Sequence, residues 1–301
     1  MGTRRAVAAA MAVAVCGVVM AAAPAQATVA ITVSGTRISH APPYPEQLVP
    51  EFFVNDAITR IDYPAALFGM DRSIAVAVSG IVDAIATTPG PVVVAGFSQG
   101  AVAVARAKQS LMTLPAQQRP DPGRLTFVTV GDPSGPTGIL RLLPVRIPVI
   151  GLTPVTAPET PYDTVTVNAE YDGWGDFPDR PGNLLSVANA MLGVAYIHGR
   201  YETVPGGLDV STVPERNITT TTNSLGGHTT SYLIPTGKLP LVQPLRDLGV
   251  PEQVVAAIEK PLKARVDAGY RRNDAPAAAS AADRYPIAKA RAGQRHSRSV
   301  A

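Results

Sequence analysis

Ser98 stands in Gly96-Phe97-Ser98-Gln99-Gly100, a Gly-x-Ser-x-Gly entered by Pro91-Val92-Val93-Val94-Ala95 and followed by the small-residue run Ala101-Val102-Ala103-Val104-Ala105. A β-branched strand, a sharp turn and a helix, in that order, are what a nucleophile elbow needs. The turn lifts a serine hydroxyl clear of the sheet, at a helix N-terminus whose N–H groups can receive a developing oxyanion. Gly96 and Gly100 leave room for that turn, because a Cβ at either would press on the adjoining strand and helix. The chemistry implied is acyl transfer through a serine ester. It requires a base for the hydroxyl proton and a third group to orient that base.

Four histidines bound the search for the base. His296 lies in a basic, Ala-rich terminal stretch, and His40 precedes Ser98, against the Ser–Asp–His order of α/β-hydrolases. His228 sits in the polar Gly226-Gly227-His228-Thr229-Thr230, which reads as an exposed turn. His198 follows an acidic loop and a helix, where such a fold returns a loop to the nucleophile, and is the expected base. The acid is expected just beyond the strand at 164–169, where Asp172, Asp176 and Asp179 all fall. Asp172, nearest the strand end, is the first choice, and Asp176, in Gly-Asp-Phe-Pro, is the alternative. Asp132 ends the preceding strand and reads as a loop brace. Oxyanion donors are expected from the backbone N–H of Gln99 and from the loop after the first strand, at Gly35-Thr36.

The elements that must position these residues are legible as an alternation. Strands read at 28–34, 91–95, 125–130 and 164–169, and helices at 72–87, 98–114, 183–192 and 252–268. The helix at 72–87 carries its apolar period through Ile74, Val76, Val78, Ile81, Val82 and Ile85. Residues 217–222 and 229–234 flank Asn223-Ser224-Leu225-Gly226-Gly227 as a hairpin. Residues 40–45 are too rich in proline for helix, and 134–161 form a long Pro/Gly-rich excursion suited to a rim over a pocket. Strands alternating with helices predict a mostly parallel, doubly wound α/β sheet.

At 46% hydrophobic over 301 residues the chain can bury a sizeable core. Arg4 and Arg5, the apolar stretch 6–23 and Ala25-Gln26-Ala27 read as an export signal cleaved after Ala27, in preference to a retained anchor of near-spanning length. Cys16, the sole cysteine, lies in this leader, and Val15 before it is not the small residue of a lipoprotein site. A cleaved chain would hold no disulfide and no cysteine nucleophile. Without the two leader arginines and the seven basic and two acidic residues of 271–301, the body carries 17 basic and 21 acidic residues. The net charge of +3 therefore belongs to the ends, and no basic face with interleaved aromatics suggests nucleic acid. The reading divides the chain into a leader (1–27), one domain (28–270) and a disordered basic tail (271–301) that touches an anionic envelope or stays solvated. No metal cluster or phosphate-binding glycine loop is present in the sequence, and no cofactor is expected.

Several phrases together are similar to the PE-PPE domain of mycobacteria and their relatives. These are Gly-Phe-Ser-Gln-Gly, the first-strand Gly-Thr, Tyr-Asp-Gly-Trp-Gly-Asp-Phe-Pro-Asp-Arg-Pro, Tyr-x-His-Gly-x-Tyr, and the run from Ser231 to Arg246 ending in Leu-Pro-Leu-Val-Gln-Pro-Leu-Arg. The resemblance spans residues 29–267. It implies a cutinase-like serine α/β-hydrolase acting on acyl esters through a Ser–Asp–His triad, with the serine at Ser98, the histidine at His198 by its His-x-x-Tyr context, and the acid somewhere in the loop. An export signal stands where a PE or PPE module would, and the disulfides of cutinases are missing. The first feature resembles the exported cutinase-like hydrolases of the mycobacterial envelope, some of which move acyl groups onto trehalose glycolipids; the second is a departure from cutinases. The expected function is an exported esterase or lipase; the alternatives are an acyltransferase and a non-catalytic envelope-binding protein. Ile139, Leu140, Leu142, Leu143 and residues 149–152 are candidates to flank an acyl chain.

Overall fold

The computed structural model describes residues 28–38, 41–204 and 208–274. The leader with Cys16, His40, and residues 275–301 with His296 lie outside them. Among the described residues seven strands pair in one sheet: β1 (Val29–Val33), β2 (Ala57–Arg60), β3 (Val92–Phe97), β4 (Leu125–Val130), β5 (Asp163–Ala169), β6 (Ile218–Thr222) and β7 (His228–Ile234). Their order is β2-β1-β3-β4-β5-β7-β6, parallel throughout except for the β6–β7 hairpin at one edge. β3, in the middle of the sheet, is buried on both faces, which is why it reads as an unbroken apolar run, whereas β4 and β5 bury Thr129, Thr164, Thr166 and Asn168 among their apolar residues.

The period of two still sorts their side chains. Ile31, Val33, Val92, Val94, Leu125 and Phe127 enter one core with Ile74, Ala77, Ile81 and Ile85 of α2 (Met70–Thr87) and Val104, Ala107 and Leu111 of α3 (Gln99–Thr113). Ala30, Val93, Ala95, Val128 and Val130 enter a second core on the opposite face. There they meet Leu48 of the short α1 (Pro45–Leu48) and the 3-10 turns containing Tyr201 and Val210. A third cluster joins Tyr171 to Val255 and Val266 of α6 (Glu252–Asp267) and to Tyr270. α4 (Leu184–Tyr196), N-capped by Asn183, packs against α6. The architecture is the doubly wound α/β-hydrolase sheet that the sequence predicts.

Four local features differ from the sequence reading. Pro45, assigned to loop, opens α1, because its fixed φ and missing N–H suit the first helical position. β2 carries no sequence signal, because all four of its residues are exposed and no apolar run marks it. The five-residue α5 (Gln243–Asp247) is too short to show a period. The domain also runs past its expected end at 270: Arg271–Asn273 form a 3-10 turn, and Arg272 reaches back to Asp176 at 2.7 Å.

Candidate active site

Ser98 adopts φ 53°, ψ −114° between β3 and α3, a backbone state that a side-chain-bearing residue holds only when its surroundings enforce it. The enforcement is steric. An ideal Cβ on Gly96 would fall 2.3 Å from Gly100 O, and one on Gly100 would fall 2.4 Å from Val33 O. The turn is thus pressed between β1 and its own helix, and the Ser98 N–H donates to Val130 O at 3.0 Å, fixing it to the end of β4.

His198 arrives on the 3-10 turn that follows α4. Its Nε2 lies 2.7 Å from Ser98 Oγ and its Nδ1 lies 2.9 Å from both Asp172 carboxylate oxygens. An ionised carboxylate only accepts, so Nδ1 carries the proton, donating to Asp172, and Nε2 accepts from the Ser98 hydroxyl. The imidazole stacks on Phe97 at 5.5 Å between centroids and is flanked by Trp174 and Tyr201. Gly131 closes another side: a Cβ there would lie 3.2 Å from His198 Cε1.

Asp172 is fully buried and accepts two further hydrogen bonds, from Tyr201 Oη at 2.7 Å and the Trp174 N–H at 2.8 Å. Burial works to raise its carboxyl, but His198, Tyr201 and the Trp174 N–H outweigh it and hold the group below the ordinary carboxylate range. Tyr201 shows the reverse: burial, then the neighbouring Asp172 charge, push its phenol well above the usual value. It therefore remains a donor to Asp172, and its oxygen accepts from the Ala169 N–H at 3.0 Å.

The structure thus brings together Ser98, His198 and Asp172, and leaves the other candidates elsewhere. Asp176, the alternative acid, turns away from the imidazole and pairs with Arg272. Asp179 pairs with Arg141, and Asp132 braces its own loop through the Ser134 N–H and hydroxyl. His228 is exposed at the start of β7 beside Asp163. Gln99 is buried, its side chain donating to Ala66 O at 3.0 Å, and because it is the first residue of α3 its backbone N–H has no intrahelical acceptor. Thr36 follows Gly35, on which a Cβ would stand 3.3 Å from Ser98 Cβ, so that loop borders the serine. Tyr63, which no sequence signal marked, ties the loop down: its hydroxyl donates to Ser34 O at 2.8 Å and lies 3.3 Å from Gln99 Oε1. Tyr201 closes the Tyr-x-His-Gly-x-Tyr phrase, but spacing does not encode its contact with the acid.

Two of the residues expected to flank an acyl chain do not face a cleft. Leu140 and Leu152 are buried in the main core, whereas Leu142 and Val149 are exposed on the excursion. That excursion reaches the site where the Ile139 N–H donates to Trp174 O at 2.9 Å. Among the described residues no three His, Cys, Asp or Glu side chains cluster as metal ligands.

The family model of the PE-PPE domain matches residues 35–271. Diacyltrehalose acyltransferase Chp2 of Mycobacterium tuberculosis is 36% identical over 277 residues, covering 82% of this chain and 76% of its own. Esterase PE16 of the same organism is 39% identical over 199 residues, 65% of this chain and 37% of its own. Among solved structures, a cutinase-like protein from Cryptococcus sp. overlaps 52% of this chain and 82% of its own at 18% identity, with a TM-score of 0.35.

Proposed function

The chain belongs to the PE-PPE domain family, and from that premise we propose that it is a serine enzyme acting on acyl esters, with Ser98 as nucleophile, His198 as base and Asp172 as the group that orients it. The observation that carries the reading is the unbroken relay from Asp172 through both imidazole nitrogens to the Ser98 hydroxyl, every link 2.9 Å or shorter.

Ser98 Oγ attacks the acyl carbonyl carbon while His198 Nε2 takes the hydroxyl proton. Asp172 stabilises the imidazolium that forms without itself taking the proton. The carbonyl oxygen becomes an oxyanion, received by the Gln99 backbone N–H and a donor at Thr36. Collapse expels the alkoxide, which takes the proton from Nε2 and leaves an acyl-serine. A second hydroxyl compound, deprotonated by the same nitrogen, then attacks that ester and frees Ser98.

When the second compound is water, the enzyme is an esterase or lipase. When it is a sugar hydroxyl, the enzyme is an acyltransferase, a reading favoured by the similarity to the diacyltrehalose acyltransferase over most of both chains. The test is turnover of a p-nitrophenyl acyl ester series by the protein and by Ser98→Ala, with and without trehalose as acceptor. Loss of turnover in the mutant supports the serine mechanism, and free acid against trehalose ester as product separates the two branches. Equal rates in the two proteins would remove Ser98 from the mechanism. In the same proposal residues 1–27 direct export and the enzyme works at the cell envelope; a secreted chain whose N-terminus is not Thr28 would count against cleavage after Ala27.

A further inference from the structure

The geometry points to Arg272 as a positioning residue, strapping the loop that carries Asp172 to the C-terminal end of α6 and thereby holding that acid on His198. The role rests on the triad reading above. Arg272 lies one residue beyond the matched family segment.

The strap is a chain of short contacts. Arg272 Nη1 donates to Asp176 Oδ1 at 2.7 Å, and Asp176 Oδ2 accepts from the Tyr171 N–H at 2.8 Å. The Asp176 N–H in turn donates to Asp172 O at 2.8 Å, so the buried acid and the strapped residue close one turn of chain. The guanidinium lies 3.9 Å over the Tyr270 ring, and Tyr270 meets Tyr171 edge-on. Tyr171 itself sits at φ 62°, a strained state for a residue with a Cβ. Its hydroxyl is gripped by Asp267 at 2.7 Å and Lys263 at 2.6 Å, both on α6. Further along, Asp179 accepts from the Arg271 N–H at 2.8 Å and the Arg180 N–H donates to Gly269 O at 3.0 Å.

These contacts do more than cover surface, because they fix a buried charge. The Asp176 side chain is 1% exposed, and the only cation hydrogen-bonded to it among the described residues is Arg272. A carboxylate left there without its partner is strongly disfavoured, so the loop must protonate it or move it toward water. Either response acts on the turn that ends at Asp172. Burial raises the Asp176 carboxyl to about 6, with Arg272 pulling the other way. The groups facing it are Arg272 and Tyr270 from the C-terminal turn, Glu170, Tyr171 and Asp172 from its own loop, and Tyr201 from the turn bearing His198. Lys263 and Asp267 of α6 face it through Tyr171.

The test compares the full chain with Arg272→Met, Arg272→Lys and Asp176→Asn. Fluorophosphonate labelling of Ser98 and ester turnover are measured across pH per mole of folded protein, alongside thermal unfolding. Arg272→Met is expected to lose about 10-fold in kcat with little change in KM, the penalty of a slightly misplaced catalytic group. Its acid limb should move to higher pH, since Asp176 protonates more readily without the guanidinium. Arg272→Lys should recover part of the rate as a point charge. Asp176→Asn should lose a similar factor and show an acid limb with one ionisation fewer. A Met variant that loses only melting temperature, with rate per folded molecule and acid limb unmoved, overturns the role. If that variant does not fold, an unaltered pH profile in Asp176→Asn overturns it equally. Absence of labelling in the unmodified protein would fall on the serine reading and take the positioning role with it.

Discussion

Asp172 accepts hydrogen bonds from three donors, and only one of them belongs to the imidazole. The other two hold the carboxylate in the plane His198 needs, which makes Tyr201 a supporting member of the site. Replacing Tyr201 with Phe removes a donor to a charged, buried acceptor and leaves the Ala169 N–H without its partner. A loss of about 2 kcal/mol in unfolding free energy is expected from urea titration. A fall in kcat should accompany it, as Asp172 gains freedom to turn. At this scale the sequence was most informative where chemistry restricts residue type. Four histidines, one Gly-x-Ser-x-Gly and one acidic loop leave few combinations, and they point to Ser98, His198 and one of Asp172 and Asp176. Asp172 and Asp176 were hard to separate because both lie in the same buried loop with similar neighbours. What distinguishes them is the arrival of Arg272 from 96 residues away, which local spacing does not encode.

Elements divide into those whose period survives in the sequence and those made by tertiary contact. β3 is buried on both faces and announces itself as an apolar run, and β4 and β5 show themselves by their β-branched residues; α2 shows its stripe through Ile74, Ile81 and Ile85. β2 exists because β1 offers it a partner, and its exposed side chains record nothing of that. The turn between β3 and α3 is the most demanding junction. Gly100→Ala places a methyl 2.4 Å from the carbonyl of Val33, a clash with backbone that no rotamer change relieves. The expected result is a loss of more than about 3 kcal/mol by urea unfolding, among the largest effects a single methyl can have. Ser98→Ala, by contrast, should leave the unfolding curve nearly unchanged while abolishing turnover, because it removes one hydroxyl from a half-buried position. The two variants together separate the elbow's mechanical task from its chemical one.

For the whole molecule, the two aspartates of the acid loop give opposite pH signatures. The Asp172 carboxyl is held below its ordinary value, so its contribution to stability is full above the unfolded value near 4 and is lost as pH falls through its lower folded value. Asp176 is raised to about 6, so the folded protein retains a proton that the unfolded chain has released. Its contribution is greatest below about 4 and declines as pH rises to 6. Unfolding free energy measured at intervals across that window should fall more steeply in the wild type than in Asp176→Asn, and identical slopes would place the ionisation elsewhere. The turn at Arg272, which follows α6, therefore belongs to the energetics of the centre.

The excursion between β4 and β5 carries a further consequence. Val145 and Val149 are 69% and 75% exposed there, while the elbow has no room for one added methyl. Freedom to vary is thus distributed unevenly: the elbow is locked by backbone, whereas Val145 and Val149 point their side chains into solvent. Substitutions at Val145 and Val149 are expected to leave the urea unfolding midpoint nearly unchanged, which makes these two positions, and not the elbow, the handle for redesign.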